Sequence, residues 1–183
     1  MSHGVQKIIS TSKDRDDEVR AVSLKVLLKL AQRAAKIPER IKQITPHLLT
    51  LLRHQCTRRD AVALLTCLAA DKPIRASLLA TMRPLLQEQH STGTVRIISW
   101  GHLLLIQSLF EKGKITVEEA SDLQFALSLI TSKQPAVQDF VLKSMTTTLQ
   151  RYLARTQTSQ VNISIQNLME GKGSKAKALV KGL

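Results

Sequence analysis

At 183 residues, 43% of them hydrophobic, the chain is long enough to bury a core and too apolar to stay disordered. Aromatic residues are only 3%, and there are seven Gly and five Pro, so a core must come from Leu, Ile, Val and Ala, in a chain whose Leu, Ala, Lys, Gln and Arg favour helix. An all-α fold follows, and the net charge of +13 attracts polyanions: nucleic acid, an anionic membrane surface or an acidic protein.

Residues 1–13 form an N-terminal segment, with a short apolar-basic piece at 5–9 and a Ser10-Thr11-Ser12 cluster. Residues 14–37 read as the first long helix, capped by Ser12 or Asp14, with Asp16, Asp17 and Glu18 at its positive end. Val19, Val22, Val26, Leu27, Leu30 and Ala34 form an apolar stripe, and Lys25, Lys29, Arg33 and Lys36 form a basic ridge. Both advance by three or four residues, the spacing of one helix face. The stripe is expected to pack on residues 38–54, leaving the ridge to solvent.

That second helical segment breaks at Pro46, where Thr45 can cap. Residues 55–57 read as a connection and 58–71 as a third helix, closed by Lys72-Pro73. A fourth runs over 74–89 with Pro84 inside it, followed by a turn at 91–94. Residues 95–111 are the most apolar stretch, a central buried helix in which Trp100 reads as a core anchor and His102 as a hydrogen-bonded buried side chain. Gly113 between Lys112 and Lys114 ends it. Thr116, with Glu119 three residues on, fits a capping box for a sixth helix. Pro135 opens a seventh, whose stripe is Val137, Val141, Met145 and Leu149, running to about residue 156. The reading gives a helical-repeat domain at 14–156, then a polar linker and a flexible basic tail over 157–183.

Beneath these helices lies a repeat. The openings Glu18-Val19-Arg20, Asp60-Ala61-Val62, Thr94-Val95-Arg96 and Ala136-Val137-Gln138 are 42, 34 and 42 residues apart, and Pro46 and Pro84 each precede one. Periods near 40 are those of two-helix solenoid repeats. On Asp16-Asp17-Glu18-Val19-Arg20 and Thr94-Val95-Arg96, the chain resembles the HEAT/armadillo class over residues 14–155. Gln138 departs from that pattern at the Arg position, and the second repeat opens with Arg-Asp-Ala-Val. The resemblance implies stacked antiparallel helix pairs, with second helices lining a protein-binding groove and the ridge on or near it. It also implies either that the chain begins inside a repeat of a larger solenoid or that a partner covers its open end. The alternative architecture is an irregular helical bundle.

No nucleophile elbow, phosphate-binding glycine loop, zinc-protease motif or paired-cysteine site is present. The histidines are scattered, so no metal, cofactor or catalytic residue is expected and the protein reads as no enzyme. The first 30 residues lack an export signal, and no apolar run approaches the roughly 20 residues of a membrane span. Cys56, in a connection, and Cys67, on an apolar face, are expected as reduced thiols of an intracellular, cytoplasmic or nuclear protein. Basic residues gather in the ridge, around Arg53, Arg58 and Arg59, and in the tail at Lys172, Lys175, Lys177 and Lys181. The expected function is a scaffold or adaptor that binds a protein partner, an acidic segment or a subunit of a larger complex, through its basic helix face. The alternative is a basic nucleic-acid-binding protein, nucleocapsid- or matrix-like, contacting the phosphate backbone. The scarcity of aromatics argues against base-stacking readout.

Overall fold

The structure is a computed structural model and describes residues 2–34, 37–87 and 98–156. Every regular element among them is helical: α1 (Ser2–Thr11), α2 (Asp17–Arg33), α3 (Glu39–Gln43), α4 (Thr45–Leu51), α5 (Gln55–Leu68), α6 (Lys72–Leu86), α7 (Trp100–Glu111), α8 (Ala120–Ile130), α9 (Pro135–Phe140), a π-helical turn (Val141–Met145) and α10 (Thr146–Thr156). The all-α class is as the composition dictates. The expected turn at 91–94, the repeat opening at 94–96 and the linker and tail beyond 156 lie outside the described residues.

The chain divides into two compact units, Met1–Ser77 with Ser99–Lys114 and Leu78–Ile98 with Ile115–Leu183. In the first, α2 lies along α5 and α5 along α7, while α1 packs on α2 and α4 on α5. Leu24 and Leu27 of α2, Leu48 of α4, Leu64, Leu65 and Leu68 of α5, and Leu105, Ile106 and Leu109 of α7 are fully buried. Each such side chain contributes about 1.5–3 kcal/mol over an exposed one.

The principal neighbours of α2 are α5 and α1, not the 38–54 segment that the sequence suggested. Residues 5–9 belong to a helix in their own right, with Ile9 buried. Nor do Ser12 and Asp14 cap α2. Asp16 does, its carboxylate accepting from the N–H groups of Glu18 (2.7 Å) and Val19 (3.3 Å). Ser12 instead donates to the Ile9 carbonyl, 2.7 Å away, and closes α1.

Three other boundaries shift for local reasons. Thr45 is the first residue of α4, and its hydroxyl donates back to the Lys42 carbonyl (2.6 Å) instead of capping forward. Residues 55–57 are the first turn of α5, where the Thr57 hydroxyl reaches the Leu51 carbonyl (3.0 Å). Lys72-Pro73 opens α6 instead of closing α5, because proline at a first turn sacrifices no hydrogen bond. Just before it, Asp71 accepts from Ile74 N–H (3.4 Å) and from Lys42 Nζ (2.5 Å). That hydrogen bond holds the Lys42 ammonium above its ordinary pKa and the Asp71 carboxyl below its own.

α7 ends as expected. Gly113 takes φ +62°, Gly113 N–H bonds Phe110 O and Lys114 N–H bonds Leu109 O, the paired bonds of a left-handed C-terminal cap.

In the second unit the carbonyls ending α6 are taken by side chains. Ser132 Oγ donates to Leu86 O (2.6 Å) and Gln134 Nε2 to Leu85 O (2.5 Å). Pro84 lies inside α6, which continues to Leu86. Thr116 does not cap: α8 starts at Ala120, and Thr116 N–H donates to the buried Asp122 carboxylate (2.9 Å) while Thr116 O accepts from Tyr152 Oη (2.9 Å). Burial first, and the Asp122 charge second, hold the Tyr152 phenol above its ordinary pKa. The stripe Val137, Val141, Met145 and Leu149 is buried throughout. It passes through the π-helical turn, where the Thr146 hydroxyl donates to Val141 O (3.1 Å) and Leu142 O (2.8 Å).

Candidate partner-docking face

α2 carries two apolar strips, and the core uses the one that shares only Leu27 with the stripe expected from sequence. Ser23, Leu24, Leu27 and Ala31 are buried, whereas Val19, Val22, Val26 and Leu30 are 37, 60, 37 and 36% exposed. At about 100° per residue, the centres of the two strips stand roughly 120° apart around the helix. Of the stripe proposed from sequence, Leu27 alone is fully buried and Ala34 is half-buried; the remaining four residues line the surface. Two leucines, Leu24 and Leu27, take core-facing positions, where they remove more apolar area from water than valine does, while Leu30 stays with the valines on the exposed strip.

Lys25, Lys29 and Arg33 follow on the flank of the exposed strip, all solvent-exposed. Among the described residues none of the three meets an acid. Arg20 is different: it pairs with Asp17 and donates to the carbonyls of Asp14 (2.7 Å) and Arg15 (3.0 Å), fastening the loop before α2 to its first turn. The helix therefore runs from an acidic end (Asp14, Asp16, Asp17, Glu18) to a basic one, with an apolar row along it. Lys36, expected to continue the ridge, lies outside the described residues, as do Lys172, Lys175, Lys177 and Lys181.

Arg53, Arg58 and Arg59 sit on a separate element, the turn into α5. Arg53 and Arg59 are exposed, while Arg58 is half-buried and donates through Nε to Leu52 O (3.3 Å). Of the three, Arg53 lies near enough to the start of α7 for its charge to act on His102. Gly101 presses against Leu52 so closely that a Cβ there would stand 2.0 Å from Leu52 O. Trp100, read as a core anchor, is 51% exposed; its place is the first residue of α7, at the edge of the core. His102 is buried as expected, its Nδ1 2.7 Å from Ser99 Oγ.

Burial, and secondarily the Arg53 cation, push the His102 pKa down to about 4. An unfolded histidine titrates near 6.5, so the unfolded chain takes up the proton first as the pH falls. The stabilisation from neutral His102 is complete above about pH 6.5 and is lost progressively toward pH 4. A thermal-melt series should show the midpoint falling across that window, and His102→Gln should flatten the fall. An unchanged slope in the variant would mean that other groups set the acid response.

Cys56 is exposed and Cys67 half-buried, both as free thiols. Among the described residues no cluster of His, Cys, Asp or Glu could hold a metal ion, and no helix is long and apolar enough to cross a membrane. Compared with known proteins, the chain matches no family model, no curated protein and no solved structure.

Proposed function

We propose that this protein is a non-enzymatic helical scaffold that captures a protein partner, an acidic segment or a subunit of a larger complex, on the outward face of α2. The observation that carries the reading is the row Lys25, Lys29 and Arg33, exposed and without acidic partners among the described residues, beside an exposed apolar strip. Unpaired cations beside unburied valines are a surface arranged for association, because burying both against an acidic, apolar partner gains area and charge complementarity together. The side-by-side placement of α2, α5 and α7, with α1 and α4 packed on α2 and α5, supports a short HEAT-like stack of helix pairs as the framework.

The rival reading is phosphate-backbone binding by the net charge of +13. The test is a salt titration with three labelled probes: a glutamate-rich peptide, random-sequence RNA and duplex DNA. The peptide should bind at about 50 mM salt, and Lys25→Glu/Lys29→Glu/Arg33→Glu should weaken it at least about tenfold, a loss of about 1.4 kcal/mol, with unchanged helicity. Peptide binding that survives the triple reversal, or a reversal that abolishes RNA binding with a steep salt slope while the peptide never binds, would overturn the proposal.

A further inference from the structure

We infer that the occupant of the α2 face is an amphipathic helix of another protein, lying antiparallel to α2. Its apolar stripe covers Val19, Val22, Val26 and Leu30, and its acidic residues face the Lys25–Lys29 flank. This rests on the reading of α2 as a partner site and names what fills it.

Three features define the shape and charge of that occupant. The exposed apolar residues advance by three, four and four positions, a helical row that a second helix meets with its own i, i+3, i+4 and i+7 residues, whereas an extended strand, with its period of two, loses register. From Val19 to Leu30 the row rises about 16 Å, so a partner helix of about three to four turns covers it. Along the same axis α2 is acidic at its start, through Asp16 and Glu18, and basic over its later half. An antiparallel helix with acids in its early turns and bases in its last ones meets both ends with opposite charge, and that distribution also suits its own dipole.

The same features disfavour other occupants. A phosphate backbone makes no use of four aliphatic side chains and is repelled by the acidic end. An anionic bilayer meets the same repulsion, on a face with no aromatic anchor. A second copy of the chain, paired antiparallel about the Val22–Val26 midpoint, sets Glu18 near Lys29 at both ends but Lys25 near its own counterpart at the centre of the row, a like-charge contact that a helix of different sequence avoids.

The experiment selects a displayed library of random peptides, long enough for about four helical turns, on the full chain. Enriched sequences are then synthesised and measured against Val22→Asp and Lys29→Glu by fluorescence anisotropy, with the size of the free protein followed by light scattering. Val22 is the most exposed of the four, so its substitution leaves the core intact, and a melting curve checks this. The expected result is a set of peptides with apolar residues at helical spacing and acids beside them, helical when bound and weakened about tenfold or more by each variant.

Acidic peptides without the apolar spacing, weakened by Lys29→Glu and indifferent to Val22→Asp, would overturn the helix and leave the acidic-partner reading standing. Peptides indifferent to both variants, or no enrichment at all, would overturn both. A dimer that Val22→Asp converts to monomer would overturn the inference in favour of a second copy. Binding only to anionic vesicles, lost in Val22→Asp, would overturn it in favour of a membrane surface.

Discussion

Replacing Gly101 with alanine should destabilise the first unit by about 3 kcal/mol or more, even though alanine is the better helix former by about 1 kcal/mol. The added methyl would sit 2.0 Å from Leu52 O, 2.8 Å from Leu52 C and 2.9 Å from Leu52 Cβ. Two of those atoms are backbone, so no side-chain rotation relieves the clash. Either α7 moves away from the end of α4 or the segment around Leu52 gives up its hydrogen bond from Arg58. Gly113→Ala, by contrast, meets nothing within 4 Å and bears only the strain of its φ of +62°, about 1–2 kcal/mol. Denaturant unfolding of the two variants beside the parent chain checks the ordering. Equal, small losses would mean that α7 does not rest against Leu52.

The second large effect separates the two sides of α2. Leu24→Ala removes a fully buried side chain and should cost about 2–5 kcal/mol through lost transfer energy and the cavity left behind. Val22→Ala, on the same helix, changes a side chain that is 60% exposed and should stay within about 0.5 kcal/mol. Unfolding midpoints at constant slope give both numbers. Comparable losses at both positions would mean that the helix is rotated and that the valine row faces the core, which would remove the proposed docking face with it.

Helix type was legible in the sequence because leucine and alanine rows at three- and four-residue spacing persist along most of the chain. The number was not, since seven helices were expected and the described residues hold ten α-helices, short ones such as Glu39–Gln43 and Thr45–Leu51 being too brief to show a period of their own. Glycine at 113 and proline at 135 marked their boundaries correctly, since each acts through its own backbone geometry. Thr45 and Thr116 misled because a threonine hydroxyl can turn back to a preceding carbonyl, and a threonine N–H can be claimed by a carboxylate six residues on; both are local bonds that compete with the forward cap and use the same residue types. The α2 face was half legible. Its cations were found, but a helix with apolar residues on more than one strip does not announce which strip is buried. Leu24, Leu27 and Ala31 offered an equally periodic row, and with Leu30 on the exposed row and Ala31 on the buried one, residue size does not separate the two. Gly101 carried a signal too, a lone glycine in the most apolar helix, which points to close backbone approach. Its partner at Leu52, about 50 residues earlier in the chain, could not be named without the fold.

Methyl-resolved NMR of the full chain, titrated with a glutamate-rich amphipathic helical peptide, tests most directly whether α2 presents the binding face. The methyl signals of Val19, Val22, Val26 and Leu30 should shift together and saturate, while those of Leu24 and Leu27, buried on the other side of the helix, stay nearly in place. Shifts centred on Leu52 and Leu103, beside Arg53 and Trp100, or no saturable shift on α2, would contradict the account.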